Sequence, residues 1–504
     1  MIMRDNEIAL NPNPLVKHLR KPASEFTKHD IMKFIQEKDI QMLNFRYVAD
    51  DGKLKSLNFV ILNKDHLDEI LTAGERVDGS SLFSFIEAGS SDLYVVPKFR
   101  TAFVNPFEET PTLDILCGFY TNDGKPLESS PEYILRKAHR MFEEETGYTF
   151  KAMGELEYYL ISEKSELYPT PAQKGYHESV PFAKWEDFRK EALQLMARCG
   201  GMMKYGHSEV GNFSDDEFYY EQQEIEFLPV NPEEAVDQLI IGKWILRMLA
   251  YQYGVTLSFA PKITVGHAGS GLHIHMLAQK EGKNVLVEQG RISDIAKRMI
   301  GGLMHLSTSL TAFGNTIPTS YLRLVPHQEA PTYVCWGDRN RSALVRVPLG
   351  WLCSACDMLT DANPLEPRTG KDFSDKQTFE FRVPDGSANL HYLMSGLLVA
   401  TRYGLQMPES LELAEKVYAP GNIFSESFKD KLAELKELPT SCFQSADALE
   451  MQREVYESGG VFPAGSIDAI AGKLKGFNDE HLSEELFGNH EKIRELVNKY
   501  LHWM

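Results

Sequence analysis

Four stretches of this sequence set ionisable side chains two positions apart between apolar neighbours. They are Gly154-Glu155-Leu156-Glu157-Tyr158, Gln223-Glu224-Ile225-Glu226-Phe227, Leu272-His273-Ile274-His275 and Phe379-Glu380-Phe381-Arg382-Val383. Successive side chains of a β-strand point to opposite faces, so each stretch, read as a strand, carries its charged pair on one face and its apolar residues on the other. A half-exposed strand facing water would explain any one of them. Together they demand more, because glutamates sharing a half-buried face repel one another and resist desolvation unless a cation joins them. Carboxylates with an imidazole are hard-to-borderline ligands, which suit Mg²⁺ or Mn²⁺ better than a structural zinc.

A second cluster is rich in arginine. Arg323, Arg339, Arg341 and Arg346 fall within 24 positions of a chain whose formal net charge is −19. Surface ion pairs would account for some of them. Guanidinium forks also match carboxylates and phosphates, and cationic clamps stabilise phosphoryl transfer. The sequence has no G-x-x-x-x-G-K-[ST] and no G-x-G-x-x-G after a strand, so a nucleotide would be held by metals and arginines instead of a P-loop. Metals, carboxylates and arginines together point to phosphoryl transfer from a nucleotide to a small carboxylate.

The 504 residues exceed one ordinary core and imply two or more domains, one of them large. The acidic balance argues against nucleic acid or an anionic membrane as partner. No apolar run is long enough for a membrane span, and the N-terminus has no h-region, so a cytoplasmic protein is expected. Six cysteines are scattered along the chain. Cys353 and Cys356 form a C-x-x-C, but no second pair exists and Trp351 and Leu352 are apolar, so buried structural cysteines are expected.

The chain reads as α+β. Residues 1–25 form a loose lead-in and 26–130 a small unit, with a helix over 30–40 and strands over 42–48, 56–62, 92–96 and 113–120. A turn-rich linker at 123–131 ends where Pro131 opens a helix to about 146. Residues 131–504 form the larger unit, with helices over 232–254, 292–313 and 390–403 and a charged helical tail beyond about 405.

Eight segments, in order, then carry a resemblance: Val77-Asp78-Gly79-Ser80-Ser81, Gly154-Glu155-Leu156-Glu157, His207-Ser208-Glu209-Val210, Gln222-Gln223-Glu224, Gly269-Ser270-Gly271-Leu272-His273-Ile274-His275, Arg323-Leu324-Val325-Pro326-His327-Gln328-Glu329, Arg339-Asn340-Arg341-Ser342 and Phe379-Glu380-Phe381-Arg382-Val383-Pro384-Asp385. The chain resembles glutamine synthetase of the longer bacterial type. That resemblance implies a β-grasp-like N-terminal domain and a large catalytic domain on a curved antiparallel sheet with helices. It also implies a homo-oligomer, a dodecamer of two stacked hexameric rings, with each site completed by the Asp78 loop of a neighbour. The implied reaction is ATP-dependent ligation of ammonia to the γ-carboxylate of L-glutamate through γ-glutamyl phosphate. The alternatives are a γ-glutamyl ligase for a polyamine or other amine, and a catalytically silent relative, which should have lost metal ligands.

Carried over by residue, one Mg²⁺ or Mn²⁺ would be held by Glu157, Glu209 and Glu224, and a second by Glu155, His273 and Glu380. Asp78 would bind and deprotonate ammonium, with Tyr176 and Glu209 nearby. Arg323 would hold the glutamate α-carboxylate and the Gly269 loop its amino end. Arg341, Arg346 and His275 would meet the ATP phosphates, Arg382 the γ-phosphoryl group or γ-carboxylate, and Glu329 would sit on a flap that keeps water out. The chain departs from the family pattern in carrying Ala268 for Asn, Thr378 for Arg and Glu221 for Gly. The interval between Glu209 and Glu224 is also lengthened, which leaves Glu217 or Glu221 as alternatives to Glu224.

Overall fold

The computed structural model describes residues 8–86, 91–326, 330–348, 350, 355–368, 373–486 and 488–503. Helix α1 (Lys28–Glu37) starts two residues before the expected position, because Thr27 and Asp30 cap its orphan N–H groups reciprocally in a capping box. Strands β1 (Met42–Val48), β2 (Leu54–Val60), β3 (Glu75–Asp78), β4 (Asp92–Pro97), β5 (Phe103–Val104) and β6 (Thr112–Tyr120) form the first sheet. Its order is β2-β1-β6-β4-β3, with β5 also on β6. The central pair β1/β6 is parallel, and the flanking pairs are antiparallel. This is the expected β-grasp arrangement. Leu43, Phe45, Ile115 and Phe119 are buried with helix residues Ile31 and Phe34 in one core.

The second sheet has nine strands. They are β7 (Thr149–Glu163), β8 (Met203–Ser214), β9 (Phe218–Phe227), β10 (Thr256–Ser258), β11 (Leu272–Lys280), a two-residue strand at Lys283–Asn284, β12 (Trp336–Asp338), β13 (Val345–Val347) and β14 (Phe379–Phe381). The main path runs β12-β13-β14-β11-β7-β9-β8. Every pair is antiparallel except β12/β13, so the curled sheet is mixed and not wholly antiparallel.

One face of this sheet is apolar. Leu156, Ile225, Leu272, Ile274, Phe379 and Phe381 pack into a core with Leu239, Leu303 and Leu397 from three long helices. These helices are α2 (Pro232–Tyr253), α3 (Asp294–Gly314) and α4 (Leu390–Gln406). Helix α2 opens with Pro232 in the first turn and a capping box between Asn231 and Glu234, and it stops at Gly254 with φ 69°. Helix α3 begins later than expected because Ile292 is taken by a two-stranded ribbon with Val287, and Ser293 then caps it. The first sheet docks on α2 through Lys98 and Arg100, whose nitrogens lie 3.2 and 2.5 Å from the Asp237 carboxylate. No helix among the described residues is long and apolar enough to cross a membrane. Cys353 lies outside the described residues, as does the side chain of Cys356.

Candidate active site

Strand register builds the site. Across β7/β11, Glu155 stands opposite His273. Across β11/β14, His275 stands opposite Glu380. Across β7/β9, Glu155 pairs with Glu226 and Glu157 with Glu224. Across β8/β9, His207 pairs with Glu224, and across β13/β14 Arg346 pairs with Glu380. Paired strand residues share a face, so six strands with matching parity aim these side chains the same way. They line one cavity of about 850 Å³, a size that suits a drug-sized ligand.

Within it the donors gather closely. Glu155, His273 and Glu380 offer ligand atoms within 4.8 Å of one another, as do Glu157, Glu224 and His273, and His207, Glu224 and Glu226. The two ring nitrogens of His273 face different groups. Its Nδ1 is 3.0 Å from Glu155 Oε2 and 3.4 Å from Glu380 Oε1, while its Nε2 is 3.8 Å from Glu157 Oε1. Glu209 lines the same cavity but stands outside these three groups. It sits where β8 bulges between Ser208 and Asn212, and it accepts the Val210 N–H at 2.7 Å.

Neither alternative to Glu224 fits. The parity of β9 turns Glu221 to the far side, where it accepts the Lys184 and Trp185 backbone N–H groups at 2.7 and 3.1 Å and the Tyr219 hydroxyl at 2.9 Å. Glu217 is exposed beside Asp215 at the tip of the β8–β9 hairpin. The lengthened interval is therefore a bulge plus a longer hairpin, and neither of these two carboxylates lines the cavity.

The electrostatics are those of a cation site. Burial pushes Glu224 well above the usual carboxylate range, and repulsion from Glu155, Glu157, Glu209 and Glu226 pushes it further. Burial and Glu155 raise Glu226, despite Lys204 at 2.5 Å. Burial would also raise Glu155, but His275 and His273 outweigh it and hold Glu155 well below its ordinary value. Burial and Glu155 press Glu380 upward; Arg382 and the two histidines pull it lower on balance. The donor set thus fits hard divalent cations.

The cationic wall lies alongside. Arg346 Nη1 and Arg382 Nε are each 3.0 Å from a Glu380 oxygen. Arg382 also donates to the Arg341 carbonyl, and Arg341 itself is exposed at the cavity. Arg323 is buried and donates to the Val383 carbonyl at 2.8 Å. The expected glycines are needed here for close approach: a Cβ on Gly269 would come 3.0 Å from Arg323 Cγ, and one on Gly271 would come 2.5 Å from Arg323 Nη2. The backbone of Ala268 is pinned instead of its side chain, with its carbonyl accepting from Tyr159 Oη and its N–H donating to Gln173 Oε1, both at 2.8 Å.

Tyr176 lines the cavity, half exposed, with its ring stacked on His177 at 4.2 Å. Asp78 is not brought to this cavity within one chain. It ends β3 of the first sheet, where the Ser81 and Ser80 hydroxyls, at 2.6 and 2.7 Å, hold its carboxyl well below the usual range. Glu329 lies outside the described residues. His207, Gln222 and Lys204 line the site but carried no role in the sequence reading. Gln222 donates to Glu157 Oε2 at 3.1 Å and to the Gly269 carbonyl at 2.9 Å, and its spacing of two from Glu224 was the available signal.

A family model described as glutamine synthetase, catalytic domain, matches residues 128–471, and one described as glutamine synthetase, beta-Grasp domain, matches 39–122. A protein named glutamine synthetase from Pyrococcus furiosus is 30% identical over 423 residues, covering 83% of this chain and 87% of its own. Another from Frankia alni is 28% identical over 481 residues, covering 88% and 94%. In fold, the chain is similar to a cryoEM structure of Plasmodium falciparum glutamine synthetase (TM-score 0.74, 18% identity, 92% of this chain and 98% of that one). It is also similar to a structure titled GmaS/ADP complex (TM-score 0.70, 19% identity, 93% and 99%).

Proposed function

Because the chain belongs to the glutamine synthetase family, whose members are ligases, we propose that it joins ammonia to the γ-carboxylate of L-glutamate. ATP is consumed, γ-glutamyl phosphate is the intermediate, and glutamine, ADP and phosphate are the products. The observation that carries this reading is the strand register that gathers Glu155, Glu157, Glu224, His273 and Glu380 beside Arg346 and Arg382.

Two divalent cations would be held there, one by Glu155, His273 and Glu380, the other by Glu157, Glu224 and Glu209. When bound, they neutralise phosphate charge and orient the γ-phosphoryl group. The protein's own groups do the rest. Arg323 holds the α-carboxylate of glutamate, and the Gly269 loop lies at its amino end. A free carboxylate is a poor acyl donor, since its leaving group would be oxide; phosphorylation makes a good one. Arg341, Arg346 and Arg382 offset charge on the phosphoryl oxygens as they move from ADP to the γ-carboxylate. His275 stands by the nucleotide phosphates. Glu209 and Tyr176 bind ammonium with Asp78 of a neighbouring copy, and Asp78 accepts a proton so that ammonia can attack. Glu329 shields the acyl phosphate from water. A ring oligomer of two stacked hexamers supplies the neighbouring copy.

A second reading takes a small primary amine as acceptor. Ala268, which offers no side-chain hydrogen bond to substrate, favours it. Phosphate release with ATP, Mg²⁺ and glutamate decides between them. Ammonium should support turnover; release with ethylamine or putrescine but not ammonium would overturn the first reading.

A further inference from the structure

His275 is tied at both ends of its ring. Its Nε2 is 2.7 Å from Glu155 Oε1, and its Nδ1 is 2.8 Å from Thr378 Oγ1. His275 is 5% exposed and Thr378 7%, so water has little access to either bond. Glu155 uses its other oxygen toward His273, 3.0 Å away, on the side of Glu380. We propose that Thr378 is a positioning residue for the cation site. Its hydroxyl fixes His275, and His275 fixes Glu155, so that Glu155 presents a single oxygen, Oε2, to the cation. This rests on the reading of Glu155 as a metal ligand.

An ionised carboxylate only accepts, so the His275 Nε2 carries a proton and donates to Glu155. The Thr378 hydroxyl both donates and accepts, so it holds Nδ1 in either charge state of the ring and fixes the ring's orientation, the way partners beyond the ligands orient metal sites elsewhere. Thr378 is itself stiff, because branching at Cβ restricts χ1. Its carbonyl accepts the Gln377 side-chain amide at 2.8 Å, and that amide also donates to the Pro348 carbonyl at 3.1 Å. Where the family pattern has an arginine, this chain sets an uncharged hydroxyl against His275.

The test is Mn²⁺ binding by the full chain without substrates, read from the electron paramagnetic resonance of free Mn²⁺. Thr378→Val is expected to weaken binding about 10- to 100-fold, with Thr378→Ser restoring it. Glu155→Ala serves as the control. If Glu155→Ala leaves Mn²⁺ binding intact, the ligand reading itself falls. If Glu155→Ala weakens binding and Thr378→Val does not, the positioning role is overturned while the ligand reading stands. Failure of Thr378→Ser to rescue a weakened Thr378→Val also overturns it, since the effect would then come from packing and not from the hydroxyl.

Discussion

Asp114 in the first sheet and Glu224 in the second are both buried carboxylates on central strands, and the chain treats them in opposite ways. Asp114 accepts from Arg46 Nε at 2.7 Å, from Asn44 Nδ2 at 2.8 Å and from Asn105 Nδ2 at 3.2 Å. Every group in that network comes from the same small domain. Glu224 faces Glu155, Glu157, Glu209 and Glu226. Its ion-pair partner His207, at 3.0 Å, is pushed down by burial and so brings no full charge. A buried carboxylate supplied with internal donors holds a fold together; one surrounded by its own kind leaves a deficit of positive charge that only a ligand can fill.

The sharpest break of that contrast is a pair of deletions. Glu157→Ala is expected to cut turnover about a thousandfold in a phosphate-release assay, while in the metal-free protein the removal of a like charge from beside Glu224 offsets the loss of its bonds from Gln222 and the Gly271 N–H. Retained turnover would show the cation site to be elsewhere. Asp114→Ala should do the reverse. It leaves Arg46 unpaired and costs about 3 kcal/mol in a denaturant titration, with activity per folded molecule unchanged; an unaffected stability would remove the contrast.

The contrast also has a pH dependence. The folded, metal-free protein has Glu224 and Glu226 raised, so it binds more protons than the unfolded chain once pH passes the ordinary carboxylate range. Its stability therefore falls as pH rises toward their elevated values. Bound cations replace those protons, so the rise in Tm on exchanging EDTA for Mg²⁺ should be larger at pH 8 than at pH 5. A rise that ignores pH would contradict the electrostatic account. Least affected should be Glu217→Ala at the hairpin tip, with turnover changed less than about twofold; a large loss would return Glu217 to the ligand set.

Much of this was legible in the sequence, and what was not has a physical reason. The helix starts at Pro131 and Pro232 followed from proline in the first turn, where Ser130 and Asn231 satisfy orphan N–H groups, whereas the Thr27 cap that starts α1 at Lys28 was missed. Ends and strand bounds moved by one to three residues, as where β2 begins at Leu54 instead of 56 and α4 ends at Gln406 instead of 403. The charged faces were visible because parity is local. Which strand lies beside which is not local: Glu155 and His273 are 118 positions apart, and His275 and Thr378 are 103 apart. The resemblance supplied the first pairing, whereas the second, specific to a chain with Thr378, had no sequence signal. The bulge at Glu209 was equally hidden, since it appears only as a shift in partner numbering between β8 and β9.

That bulged hairpin carries a lesson about how such a site can drift. The cavity-lining side chains are addressed by odd or even position along paired strands, much as a two-letter code is read in frame. One residue added inside β7 or β11 would rotate every later side chain to the wrong wall. Residues added at the Asp215–Glu217 tip lie beyond the last cavity-lining residue on either arm and change no address. Length can accumulate there without moving any cavity-lining side chain to the other face, provided the parity of the strands survives.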